Sequence, residues 1–317
     1  MRPSVFIAEP EGFDTEAVAM LRGVADVVLE PCDDIAAALA RHEVVWLRLG
    51  HRIGAAELGE APRCRIIATP VTGLDHIDLE ACAARGIQVL SLRGERAFLR
   101  EVRATAEHTL LLAMALMRRL VPAAGDVKDA RWDRDRFRGH ELYRKTAGVV
   151  GVGRLGAIVA EYLSALGMRV LGHDPHVDVA ARGLVSASLS ELLQAADLVT
   201  LHVPLAPETL GLIGEGELRQ MKSTAVLVNT SRGGIVDEAA LLAALKRGST
   251  AGAALDVVAG EPESIRADSP LVGYASAHDN LLITPHIGGN TFESFEKTER
   301  FIATKVIAAL RQLEASP

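Results

Sequence analysis

The sequence predicts an α/β protein built of two doubly wound parallel-sheet domains. Short apolar strands alternate with helical runs through residues 1–95 and again through 146–286, and such alternation implies parallel sheets with helices on their faces. A glycine-rich segment, GVGRLG at 151–156, stands between a buried-strand pattern and a helical one. One long helix is left over after His286.

In the first half, residues 5–8, 25–29, 44–47, 65–68 and 87–90 read as strands. Helical runs at 17–21, 35–40 and 79–85 lie between them. Residues 100–121 form a long helical stretch, and Pro122 is its expected stop. The second half repeats the alternation, with strands expected at 147–150, 169–172, 198–203, 225–230, 251–257 and 280–284. A closing helix spans 292–313. A single helix cannot bury its apolar face without a partner, so it is expected to return to the first half. The domains are then 1–99 with 289–317, and 100–288, with a cleft between them.

The chain has 317 residues, enough for two cores. Hydrophobic residues make up 49% and charged residues 24%, which describes a globular protein rather than a disordered one. A net charge of -7 gives no basic footprint for nucleic acid. Cys32, Cys64 and Cys82 are widely spaced and form no CxxC pair, so neither a disulfide framework nor a zinc site is expected. No His, Asp and Glu cluster has metal-ligand spacing, and no metal is expected. The apolar run at 5–8 is too short for a leader or a membrane span, and no later run reaches 18 residues. These features predict a soluble, cytoplasmic protein without membrane partners.

The glycine segment has a chemical reading. Gly151 permits a tight turn, Gly153 lets the backbone approach a pyrophosphate, and Gly156 lets the helix pack closely. The helix N-terminus then offers unpaired N–H groups to the phosphates. The next strand ends in Asp174, which can accept from both ribose hydroxyls and would repel a 2′-phosphate. NAD is the expected cofactor.

Three later strand ends carry polar residues: NTSRGG at 229–234, DVVAGEP at 256–262 and TPHIGG at 284–289. Carboxyl ends of strands face the ligand crevice in a doubly wound sheet. Arg232 can fork onto a substrate carboxylate. His286 can carry a hydroxyl proton, and Glu261 paired to it would hold its tautomer and strengthen it as a proton carrier.

With these motifs the chain resembles the D-isomer-specific 2-hydroxyacid dehydrogenases, and the resemblance runs over nearly its whole length. It implies a Rossmann-type cofactor domain and a flavodoxin-like substrate domain. The activity implied is hydride transfer between NAD and C2 of a D-2-hydroxyacid or 2-oxoacid, such as 3-phosphoglycerate or glycerate/hydroxypyruvate. The family's catalytic positions fall on Arg232, Glu261 and His286. Its cofactor positions fall on Gly151, Gly153, Arg154, Leu155, Gly156, Asp174, His202, Val203, Pro204, Thr209, Thr230, Ser231, Asp256, Gly288 and Gly289. Substrate contacts are implied at Arg48, Thr72 and Gly73, besides Arg232 and His286. A homodimer built largely on the helix near 100–121 is also implied. From the chain's size, no regulatory domain is expected after the closing helix.

The chain departs from the family pattern in two places. Val71 stands where the substrate loop usually begins with glycine. The segment after Leu90 is longer than usual and holds Arg93, Arg96, Arg100 and Arg103, the last three at helical spacing. That face is either solvated, with Glu95 and Glu101 as partners, or turned to a second anionic group. The remaining histidines outside the motifs, His108 among them, receive no role. The C-terminal binding proteins, NAD-dependent corepressors, share the motifs; they predict disordered tails, whereas this chain begins and ends at the expected domain edges. A relative acting on formate or phosphite would need a narrow site that no motif suggests.

Overall fold

The computed structural model describes residues 2–262 and 264–315. The chain divides into two compact units, Met1–Val102 with Thr291–Pro317, and Arg103–Asn290. The junctions fall slightly later than the expected 99/100 and 288/289.

The first unit runs β1 (Ser4–Ile7), α1 (Thr15–Arg22), β2 (Asp26–Leu29), α2 (Ile35–Arg41), β3 (Val44–Trp46), α3 (Ala55–Leu58), β4 (Ile66–Ala68), α4 (Leu79–Ala84) and β5 (Gln88–Leu90). Its strands are all parallel, in the order β2-β1-β3-β4-β5. Local sequence starts the helices: Asp14, Asp34 and Asp78 each accept a backbone N–H as N-caps of α1, α2 and α4. Strand alternation divides the core. Val5, Ile7, Trp46 and Ile66 pack on one face with Leu21, Ile302, Val306 and Leu310. Phe6, Val45 and Ile67 pack on the other with Leu39, Leu58 and Cys82. The closing helix therefore covers one face of the first sheet, which is why the unit is discontinuous.

The second unit runs α5 (Ala104–Met117), α6 (Leu120–Lys128), β6 (Thr146–Val150), α7 (Arg154–Ala165), β7 (Arg169–His173), β8 (Val185–Ser186), α8 (Leu189–Ala195), β9 (Leu198–Leu201), α9 (Glu215–Gln220), β10 (Val226–Asn229), α10 (Glu238–Arg247), β11 (Gly252–Leu255), α11 (Pro270–Ala277) and β12 (Leu281–Ile283). The chain then returns to the first unit as α12 (Phe292–Ala315). The second sheet is parallel throughout, in the order β12-β11-β10-β9-β6-β7-β8. Leu227, Ala253 and Leu255 join Leu192, Leu218 and Leu241 on one side. Val149, Val228 and Ala254 join Leu112, Leu116, Ile158 and Leu163 of α5 and α7 on the other. Among the described residues no helix is long and apolar enough to cross a membrane.

Three expectations are corrected. The helix expected over 100–121 is two helices, broken at Arg119, whose φ of 52° lies in the left-handed region. Pro122 does not end a helix; it sits in the first turn of α6, where a missing N–H costs nothing. The arginines of 93–103 do not share a helix face, because the segment holds only one 3₁₀ turn, Phe98–Glu101. Arg93, Arg96 and Arg100 are exposed, Arg103 stands at the N-cap of α5, and Glu95 pairs with Lys305 at 2.7 Å rather than with an arginine. A seventh, two-residue strand, β8, was not legible, since it is exposed and has no apolar alternation.

Arg48, where the resemblance implies a substrate contact, is also bonded within the first unit. Its Nε and Nη2 donate to Glu299 Oε1 at 3.0 and 2.5 Å, and its Nη1 donates to the Glu11 carbonyl at 2.9 Å. The guanidinium stacks 4.2 Å from the Phe295 ring. Glu299 is fully buried and also accepts the Asp14 N–H at 2.7 Å. Burial pushes its carboxyl up, against the opposing pull of the Asp14 N–H and Arg48. The pair ties α12 to the end of β3. Arg48→Leu strands a buried acid without its counter-charge and is expected to cost about 3–5 kcal/mol in urea unfolding; a loss under about 1 kcal/mol would show that the pair holds nothing.

Candidate functional site

The carboxyl ends of the second sheet gather the polar strand ends. Strands β9, β10 and β11 stop sooner than the sequence suggested, leaving residues 202–204, 230–232 and 256–257 as loops. There the polar side chains bond to neighbouring elements, Ser231 to the Leu201 carbonyl of β9 and Thr230 to Thr109 of α5.

At β6 the chain turns through Gly151, with φ of 86°. A Cβ on Gly151 would lie 2.6 Å from the His202 carbonyl oxygen. One on Gly156 would lie 1.9 Å from the Gly151 carbonyl oxygen, so this glycine clears the turn itself. Gly153 differs: a Cβ there would meet nothing within 4 Å. Gly153 is the N-cap of α7 and supplies no side-chain cap hydrogen bond to the first turn, Arg154, Leu155 and Gly156. Asp174 ends β7 beside the turn. Its Oδ2 accepts the Val152 N–H at 2.8 Å, and its Oδ1 accepts those of His176 and Val177 at 2.9 and 3.1 Å. A helix N-terminus without a side-chain cap, a glycine with room beside it and an acid bonded to the turn fit a dinucleotide.

Across the turn, Thr200 Oγ1 lies 2.9 Å from His202 Nε2. Burial pulls the His202 imidazole down to about 3, so it is neutral. Val203 packs against the glycine turn. Thr209 Oγ1 donates to the Pro204 carbonyl at 2.6 Å and accepts the Ala206 N–H at 2.9 Å, closing that loop.

The end of β10 is folded by its own side chains. Asn229 accepts the Ser231 N–H at 3.0 Å and donates to the Arg232 carbonyl at 2.9 Å, an Asx-type turn. Ser231 Oγ donates to the Leu201 carbonyl at 2.6 Å. Arg232 is half-buried, with Nη1 donating to the Ser231 carbonyl at 2.8 Å. A Cβ on Gly233 would lie 2.1 Å from Ala259 N. Only glycine allows that approach, which seats the Arg232 turn against the loop leading to Glu261.

Glu261 Oε1 meets His286 Nδ1 at 2.5 Å, and its Oε2 accepts the Val258 N–H at 2.8 Å. A carboxylate only accepts, so Nδ1 carries the hydrogen and Nε2 is left for proton exchange. His286 has φ of 53°, an uncommon conformation that clusters at functional sites.

Several expected cofactor residues spend their side chains inside the protein. Thr230 Oγ1 meets Thr109 Oγ1 at 2.7 Å. Asp256 is buried and receives the N–H groups of Ile287 and Gly288 at 2.9 and 2.7 Å, with Gly289 following. In the first unit, Thr72 is exposed and Gly73 half-buried on the loop after β4. No motif points to His108, yet its Nε2 lies 3.1 Å from Asp256 Oδ1. The available signal was a polar Glu107-His108-Thr109 step in an otherwise apolar helix.

These environments separate the glycines. Gly153→Val should keep the fold, because its Cβ meets open space, yet weaken NADH binding by about tenfold or more, read by fluorescence titration. Gly156→Ala should instead cost about 1–3 kcal/mol of stability through overpacking. Equal NADH affinity in Gly153→Val and the unaltered protein would move the pyrophosphate elsewhere.

Residues 110–288 match the model of the D-isomer specific 2-hydroxyacid dehydrogenase NAD-binding domain. D-3-phosphoglycerate dehydrogenase of Archaeoglobus fulgidus is 38% identical over 278 residues, 87% of this chain and 51% of that protein. The enzyme of the same name from Mycobacterium tuberculosis is 37% identical over 281 residues, 88% of this chain and 51% of that protein. The chain thus spans about half the length of the curated relatives it matches. Among solved structures, the TT0316 protein of Thermus thermophilus superposes with a TM-score of 0.86 at 34% identity, covering 98% of this chain and 97% of that one. D-lactate dehydrogenase of Aquifex aeolicus, complexed with NAD and lactic acid, gives 0.83 at 31% identity, covering 98% and 96%. With the glycine turn, the strand-end loops and these likenesses together, the chain belongs to the D-isomer-specific 2-hydroxyacid dehydrogenase family.

Proposed function

We propose that the protein is an NAD-dependent oxidoreductase interconverting a D-2-hydroxyacid and its 2-oxoacid. The observation that carries this reading is the Glu261–His286 pair at 2.5 Å, on a loop seated through Gly233 against the Arg232 turn. When bound at the glycine turn, NAD supplies or takes up the hydride.

The chain's own residues do the rest. Arg232 forks onto the substrate carboxylate and draws electron density from the neighbouring carbonyl. His286 Nε2 gives its proton to the carbonyl oxygen as that carbon is reduced, or removes it from the hydroxyl in the reverse direction. Glu261 keeps the imidazole in the Nδ1–H form and stabilises the imidazolium. Asp174 accepts from the adenosine ribose and disfavours a 2′-phosphate.

Candidate acids are 3-phosphoglycerate, suggested by the names of the curated relatives, and glycerate/hydroxypyruvate or a similar acid. The active form is a homodimer. Supporting this, Leu111 and Met114 on α5, Leu120 and Val121 on α6, and Trp132 expose apolar surface, Trp132 at 86%. A cytoplasmic setting suits the free thiols Cys32, Cys64 and Cys82.

The test is NADH oxidation with 3-phosphohydroxypyruvate, hydroxypyruvate and glyoxylate in parallel. Turnover of at least one is expected; no turnover of any, with NADH bound, removes this reading. Arg232→Ala should lower kcat/KM by about 100-fold or more while leaving NADH affinity unchanged. Full activity in that variant would take Arg232 out of the mechanism. Asp174→Ala should narrow the discrimination against NADPH by about tenfold or more, measured as the kcat/KM ratio; an unaltered ratio would mean that another residue reads the ribose.

A further inference from the structure

In helix α5 the polar residues His108 and Thr109 stand directly before the apolar run from Leu110 to Met117. Each reaches a different loop of the site. His108 Nε2 lies 3.1 Å from Asp256 Oδ1 and 3.1 Å from Thr284 Oγ1. A carboxylate has no hydrogen to give, so Nε2 carries it and donates. Thr284 Oγ1 donates to the same Oδ1 at 2.6 Å. Burial pushes the Asp256 carboxyl up, but the bonds from His108, Thr284, Ile287 and Gly288 outweigh it and hold the group below its usual range.

The loop that carries His286 is wrapped on this carboxylate. The amides of Ile287 and Gly288, which follow the histidine, both donate to it. The His286 N–H donates to the carbonyls of Asp256 and Thr284 at 2.9 Å each. Thr109 does a parallel service for the other loop. Its Oγ1 donates to the Thr105 carbonyl at 2.7 Å, so its contact with Thr230 is one it accepts. Thr230 adjoins Ser231 and Arg232, and both threonines are buried.

We propose that His108 and Thr109 are positioning residues, a clamp on one turn of α5 that sets the Arg232 and His286 loops relative to each other. The proposal rests on the dehydrogenase reading for its effect on turnover, though not for its structure. Neither residue needs to touch the substrate. A misplacement of about 1 Å between reacting groups costs about 100-fold in rate, so a rigid helix anchoring both loops acts directly on catalysis.

The experiment compares His108→Ala, His108→Gln, Thr109→Val and Thr109→Ser with the unaltered protein, read by amide hydrogen exchange over residues 284–290 and by kinetics. In His108→Ala, exchange at 286–289 should rise about tenfold or more, and kcat should fall by a similar factor with NADH affinity unchanged. The glutamine variant, which can place an N–H near the lost Nε2, should recover most of both. Thr109→Val should lower kcat without raising exchange at 286–289, and Thr109→Ser should restore it. Unaltered exchange in His108→Ala, or alanine and glutamine variants that behave alike, overturns the clamp. Should the alanine variant fail to fold, His108→Leu keeps the volume and gives the same reading. If no 2-oxoacid is turned over by the unaltered protein, the proposed function fails, while exchange still decides the clamp.

Discussion

The working end of the second unit depends on the buried carboxylate of Asp256. It lies at the end of β11, almost without solvent, and such a charge persists only when its acceptor sites are filled. Four donors fill them: two amides of the loop after β12, the Thr284 hydroxyl and the His108 imidazole. The loop cannot move without exposing that charge to unpaired burial. A histidine in a left-handed conformation is held in place by this same requirement.

The parallel sheet explains why such an anchor is available. Each strand runs the same way, so β9, β10, β11 and β12 end side by side and their loops meet. Strand ends are also where main-chain groups lose their ladder partners. Asn229, Ser231, Thr209 and Asp256 supply the missing bonds, folding each loop against its neighbour. Polar side chains at these positions therefore serve two purposes, completing backbone hydrogen bonds and presenting chemistry. The first unit shows a related economy at its own strand end, where Arg48 and the buried Glu299 join α12 to the sheet.

Much of the fold and the site was legible because it is written in local patterns. Short apolar strand runs, apolar residues at helical spacing and the spacing of Gly151, Gly153 and Gly156 are properties of short segments, and they located the strands, helices and glycine turn. The break at Arg119 was not legible, because a left-handed residue other than glycine leaves no trace in hydrophobic periodicity. Nor was the arginine segment after Leu90, whose helical spacing is coincidental in a chain that makes one 3₁₀ turn there.

The sequence by itself determined the fold class, the glycine turn and the polar residue types at the strand ends, since each follows from interactions within a few residues. Only the tertiary structure decided which side chains meet. Arg48 finds Glu299 across 251 positions. His108, without a motif, finds Asp256 across 148 positions. Partners so distant are brought together by the packing of α5 and α12 on their sheets, and no local pattern encodes that.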